Sequence, residues 1–193
     1  LGRLMEYGAY GRITTLPQYT SPALWATILT GKLPDQTGVR DFYSAAGRHL
    51  RVKPIYEILG YDPVGLFQMY ASRWSPDRTG FLVPSRIEDA QSAYPEELEF
   101  VVDFAAEHSL AFARKLLRHG VPPWVIAQVA ILAASRYLRL VDTQAWNLKT
   151  TILGQRLRSY IAVHLVKQSQ PLFFASLFYT LDHLGHYYWR YWE

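Results

Sequence analysis

Two short stretches carry residue types that can do chemistry, and they lie at opposite ends of the chain. In LDHLGHY, Asp182 and His186 are separated by three residues. Side chains at i and i+4 fall on the same side whether the backbone is helical or extended, so one cation can take a carboxylate oxygen and an imidazole nitrogen here. At the other end, Thr20 and Ser21 stand directly ahead of Pro22 in TSPALWATILTG. As geometry this is a helix start: Ser21 accepts from exposed backbone N–H groups, and Pro22 takes the first helical position, where its missing donor costs nothing. The same geometry puts a hydroxyl at the positive end of a helix, which favours an alkoxide and an incoming phosphate or sulfate.

The hydroxyl lacks a base. Neither His nor Asp occurs in the ten residues before Ser21, so no Ser-His-Asp triad is visible locally. A metal ion is the other means of lowering a hydroxyl pKa, which makes Asp182 and His186 its natural counterparts. His183 points away from that pair on either backbone and supports it at most. His49, His108, His119 and His164 have no acidic partner at ligand spacing and read as solvated or partly packed side chains. The chain has no cysteine, so disulfides and thiolate ligands are excluded and a metal must sit on His and carboxylates.

The elements that must position these groups are legible in part. Residues 10–16 predict a strand, Pro22 to Thr30 a short helix closed by Gly31, and Lys53 to Leu59 another closing at Gly60. Val64 to Tyr70 and Phe81 to Val83 predict strands bounded by Pro63, Gly80 and Pro84. Apolar spacing of three to four predicts one amphipathic helix from Glu96 to Arg118, a second over Val125 to Leu140, and a third over 142–168 that Gly154 weakens. The apolar run 172–181 predicts a late strand ending where Asp182 begins. Ligands of open α/β sheets gather at the carboxyl ends of strands, so the placement suits a site. The order predicts one α/β body of about four parallel strands with a helical insert near 94–169.

Composition narrows the classes. With 193 residues, 50% hydrophobic and 19% charged, the chain can bury one sizeable core and is not disordered. Its net charge of +4 comes from scattered basic residues, with no basic run or aromatic-interleaved basic face, so no nucleic-acid partner is expected. The longest apolar run, Trp124 to Ala134, is shorter than the ~20 residues a membrane span needs and reads as a buried helix. The compartment and the oligomeric state are left open.

Several segments taken in order resemble the type I phosphodiesterase/nucleotide pyrophosphatase group of the alkaline phosphatase superfamily. They are residues 8–42 (GAYGRITTLPQYTSPALWATILTGKLPDQTGVRDF), KPIYEILG (53–60), WSPDRTGFLVPS (74–85), AYPEEL (93–98) and LFYTLDHLGHYYWRYWE (177–193). The resemblance implies an alkaline-phosphatase-like parallel sheet, here incomplete. It also implies hydrolysis of a phosphate ester or diester through a two-metal site, with zinc the first choice and manganese the second. Ser21 would be the metal-bound nucleophile, with Thr20 as the fallback, and Asp182 and His186 would be two ligands of one metal. The pattern departs at Thr37, where the family has His, and at Leu24, where some nucleotide pyrophosphatases have Asn. It also implies further ligands, on a strand ahead of Leu1 and in segments beyond Glu193. The expectation is therefore an interior portion of an enzyme that binds metal weakly and turns over little by itself. A sulfatase-like or phosphomutase-like relative is the nearest alternative. From a different class, the long helices 96–168 and the YYWRYW tail would form the partner surface of a non-catalytic interaction domain.

Overall fold

β1, Val64–Met69 (VGLFQM), is buried along its whole length, as the central strand of a covered parallel sheet is. It pairs in parallel with β2 (Gly80–Pro84) on one side and β3 (Phe173–Ser176) on the other, giving the order β2-β1-β3. The computed structural model describes residues 2–11, 14, 20–44, 47–85, 92–102, 104, 110–138 and 142–188. The strand expected over 10–16 lies largely outside them, and three strands are present among the described residues instead of four.

The strand period of two divides the core. Val64, Leu66 and Leu82 pack with Tyr56 and Trp74 on one face, whereas Phe67, Phe81 and Val83 join the helical layer on the other. Gly65 is what lets aromatic rings close over the strand, since a Cβ there would lie 2.7 Å from the Phe81 ring and 3.0 Å from that of Phe174. Gly80 enters β2 at φ +107, and a Cβ would come within 2.1 Å of the Val64 carbonyl.

Before the sheet come α1 (Gly2–Tyr7), α2 (Ser21–Thr30), α3 (Pro34–Thr37) and α4 (Ile55–Ile58). The Gly31 N–H bonds the Thr27 carbonyl and closes α2 where the sequence places the stop. Between β2 and β3 lie a 3-10 turn at Glu96–Leu98 and then α5 (Glu99–Val102), α6 (Leu110–Arg118), α7 (Pro123–Tyr137) and α8 (Thr143–Ser169). Leu98, Phe100, Val101, Phe112, Leu116, Val125, Leu157 and Ile161 from this layer cover one face of the sheet. A parallel crossover of this kind needs a dozen or more residues and usually a helix. α8 runs unbroken through Gly154, started by Asp142, whose carboxylate accepts from the Gln144 and Ala145 N–H groups at 2.8 and 2.9 Å.

Three expectations are corrected. The helix expected over 96–118 starts as a 3-10 turn; Glu99–Val102 and Leu110–Arg118 are helical, Phe104 is in a 3-10 conformation, and residues 103 and 105–109 lie outside the described ones. α5 and α6 bury apolar residues in the same core. α7 is not a buried helix: of its residues only Val125 is fully buried, while Trp124 and Ile131 are 50% and 68% exposed. An all-apolar run predicts burial only where a neighbour covers every side, and here one side is covered. The late strand stops at Ser176, and residues 179–188 form α9 (Tyr179–Tyr188) instead. A short apolar run fits strand and helix alike. Among the described residues no helix is long and apolar enough to cross a membrane.

Candidate functional site

β3 points its carboxyl end at α9. The Tyr179 hydroxyl ties the first turn of that helix to the sheet edge, 3.2 Å from the Gln68 carbonyl of β1 and 2.6 Å from Ser85 Oγ just past β2. Further along α9, His186 Nε2 lies 3.6 Å from Asp182 Oδ1, with side chains 74% and 60% exposed. A helical i,i+4 pair meets on one face, so the spacing read from the sequence is realised by a helix.

That separation suits a shared cation. Zinc bonded at about 2.0–2.2 Å to nitrogen and oxygen in a tetrahedron holds two ligand atoms roughly 3.4 Å apart. The pair therefore fits two corners of such a site. Among the described residues no group of three or more His, Asp or Glu side chains is assembled to hold a metal.

Ser21 opens α2 and is exposed. The capping expected of it is corrected, because the helix begins one residue earlier. Thr20 is the N-cap, its carbonyl accepting from the Leu24 N–H at 3.1 Å, and neither hydroxyl caps the helix. Thr20 Oγ1 instead donates to the Arg40 carbonyl at 3.2 Å. Two residues on, the Phe42 ring meets Tyr70 edge-on at 6.1 Å, and Tyr70 meets Tyr179 in the same way at 5.7 Å. This relay of contacts ties the start of α2 to the start of α9 past the end of β1. Ser21 does not line the recess formed by Leu181, Asp182, Gly185 and His186.

The loop that carries the relay is held by local polar bonds. Ser44 donates through both its N–H and its hydroxyl to Asp41 Oδ1 at 2.8 Å, and these bonds, the hydroxyl's first, keep the Asp41 carboxyl below its ordinary range. Thr37 is buried; its hydroxyl donates to the Pro34 carbonyl and accepts from the Val39 N–H, both at 3.2 Å. Its role is to close a turn.

The sequence does not single out Gln68, Ser85 or Tyr179, which meet at the sheet edge. One cue is available in hindsight: Gln68 is the lone polar residue in the strand VGLFQM. His119 and His164, each read from the sequence as solvated or partly packed, have ring centroids 6.0 Å apart and share a cavity lining with Glu96, Glu97 and Glu99.

No family model, curated protein or solved structure matches the chain. The resemblance therefore rests on this chain's own motifs, and its geometry is limited to the Asp182–His186 pair and the relay from Thr20.

Proposed function

We propose that the chain is part of a metal-dependent hydrolase of phosphate esters or diesters, built on an alkaline-phosphatase-like parallel sheet. The observation that carries the reading is the Asp182–His186 pair, set by α9 just beyond the carboxyl end of β3 with its donor atoms 3.6 Å apart. Its support is the contact relay from Thr20 through residues 40–42 and Tyr70 to Tyr179.

In this reading Asp182 and His186 hold one of two divalent cations, zinc before manganese. When bound, the cations lower the pKa of a hydroxyl and stabilise charge on phosphoryl oxygens. Ser21 Oγ, with Thr20 as fallback, attacks phosphorus in line. The bond to the leaving oxygen breaks, and the alcohol departs as that oxygen takes a proton. Water then cleaves the phosphoserine ester, releasing phosphate or a phosphate monoester and restoring the hydroxyl. The start of α2 offers the incoming anion the positive end of its helix dipole.

The test is release of nitrophenol from bis(p-nitrophenyl) phosphate with zinc or manganese present, using the full reading frame that contains these residues. Hydrolysis that Ser21→Ala removes supports the assignment. Full activity in that variant moves the nucleophile to Thr20 or refutes it, and no hydrolysis with either metal refutes the hydrolase.

A second reading, a helical interaction domain, is favoured by the exposed apolar residues of α7, among them Trp124 and Ile131. Concentration-dependent self-association that Ile131→Lys abolishes, in a chain without hydrolase activity, would favour it.

A further inference from the structure

A cavity of about 500 Å³ opens between the helical layer and the carboxyl edge of the sheet. Phe112, Leu132 and Trp146 make its wall apolar, and Gln68, Ser85 and Tyr179 make one end polar. Its volume falls within the roughly 300–1,000 Å³ typical of small-molecule sites.

Two independent costs meet at Gln68. Its backbone is left-handed at φ +59, where the register of β1 against β2 shifts between Phe67 and Met69. Its side chain is 3% exposed, and the Oε1 atom has no hydrogen-bond partner among the described residues. A left-handed conformation away from glycine and an unpaired buried carbonyl each destabilise a fold, and both concentrate where ligands bind. The neighbouring polar groups do not relieve the side chain, because Tyr179 and Ser85 bond each other and Tyr179 also meets the Gln68 backbone carbonyl. A leucine would fill the same position without stranding a carbonyl.

We propose that this cavity binds a neutral small molecule with an apolar body and one hydroxyl or N–H group, which donates to Gln68 Oε1. A donor is required because Oε1 can only accept, and a neutral ligand carries no charge past the apolar side chains that make up most of the wall. Arg158 also lines the cavity, its guanidinium 4.5 Å from the Phe104 ring centroid, and it disfavours a cationic ligand there. The site does not depend on the hydrolase reading, since Tyr179, Thr180 and His183 of α9 line it whereas Asp182 and His186 line a separate recess.

The test compares 1-naphthol with naphthalene, two bodies of one shape that differ by a hydroxyl, in fluorescence titrations of the chain. One molecule of 1-naphthol should bind per chain, roughly five- to a hundredfold tighter than naphthalene, the range expected when a donor satisfies a buried acceptor. Gln68→Leu should abolish that preference while naphthalene binds as well or better. Ala133→Trp, at an exposed position on the cavity lining, should remove binding of both probes. Absence of binding, equal binding of the two probes by the unmodified chain, a preference that survives Gln68→Leu, or 1-naphthol binding untouched by Ala133→Trp would each overturn the proposal. If Gln68→Leu does not fold, the unmodified chain and Ala133→Trp still decide it.

Discussion

The hydroxyls of Tyr179 and Ser85 lie 2.6 Å apart, joining the first turn of α9 to the end of β2 across 94 residues of sequence. Ser85 is 2% exposed, so its hydroxyl has little water to turn to once that partner is gone. Tyr179→Phe should therefore lower stability by about 1–3 kcal/mol, the cost of leaving a buried polar group unpaired. In urea denaturation, Ser85→Ala should cost less in the Tyr179→Phe background than in the unmodified chain. Simple additivity would mean the two groups do not interact.

Tyr56 gives the fold an alkaline limit. It is fully buried against the sheet, its hydroxyl bonded to the Arg73 backbone, and burial pushes its pKa from 10.0 up to about 12. Below pH 10 the phenol is protonated in folded and unfolded chains alike, and its contribution is fully present. As pH rises from 10 towards 12 the unfolded chain releases the proton first, and about 2–3 kcal/mol of stability should be lost. Denaturation midpoints at pH 9 and 11.5 should show a steeper fall for the unmodified chain than for Tyr56→Phe. Parallel slopes in the two proteins would refute this account.

Gly80 admits no side chain. At φ +107 a Cβ would be strained, and it would also collide with the Val64 carbonyl at 2.1 Å. Gly80→Ala should cost at least about 2 kcal/mol, since backbone strain alone is of order 1–3 kcal/mol. Gly60→Ala is the control: φ is +64 there, but nothing lies within 4 Å of the added carbon. Thermal melts should show the larger loss at Gly80, and equal losses would mean the sheet shifts to accommodate the methyl.

For the metal pair the expected result is one weak zinc site per chain, read by competition with a zinc indicator. His186→Ala and Asp182→Asn should each weaken it by about tenfold or more, since even the residues that support ligands are worth 10–100-fold. Affinity that both variants leave unchanged would place any zinc elsewhere.

Local structure was legible where it was written locally. The Gly31 stop of α2, the apolar runs of β1 and β2, and the i,i+4 spacing of Asp182 and His186 each rest on residues close in sequence. The 3-10 start at Glu96–Leu98 and the exposure of α7 were not legible, because apolar spacing reports that a face wants covering and says nothing of what covers it. The run 172–181 failed for a related reason: its first half is a strand because β1 offers free edge groups, and its second half is a helix because the sheet has ended.

The sequence by itself determined which residue types stand where: two hydroxyls ahead of a proline, a carboxylate and an imidazole at i and i+4, and no thiol. Only tertiary structure decided that Gln68, Ser85 and Tyr179 meet at one sheet edge, or that His119 and His164 come together. Spacing along the chain fixes which side chains share a face within one element. Which faces meet depends on how parallel strands are crossed and covered, and that is settled by burying apolar surface across the whole molecule.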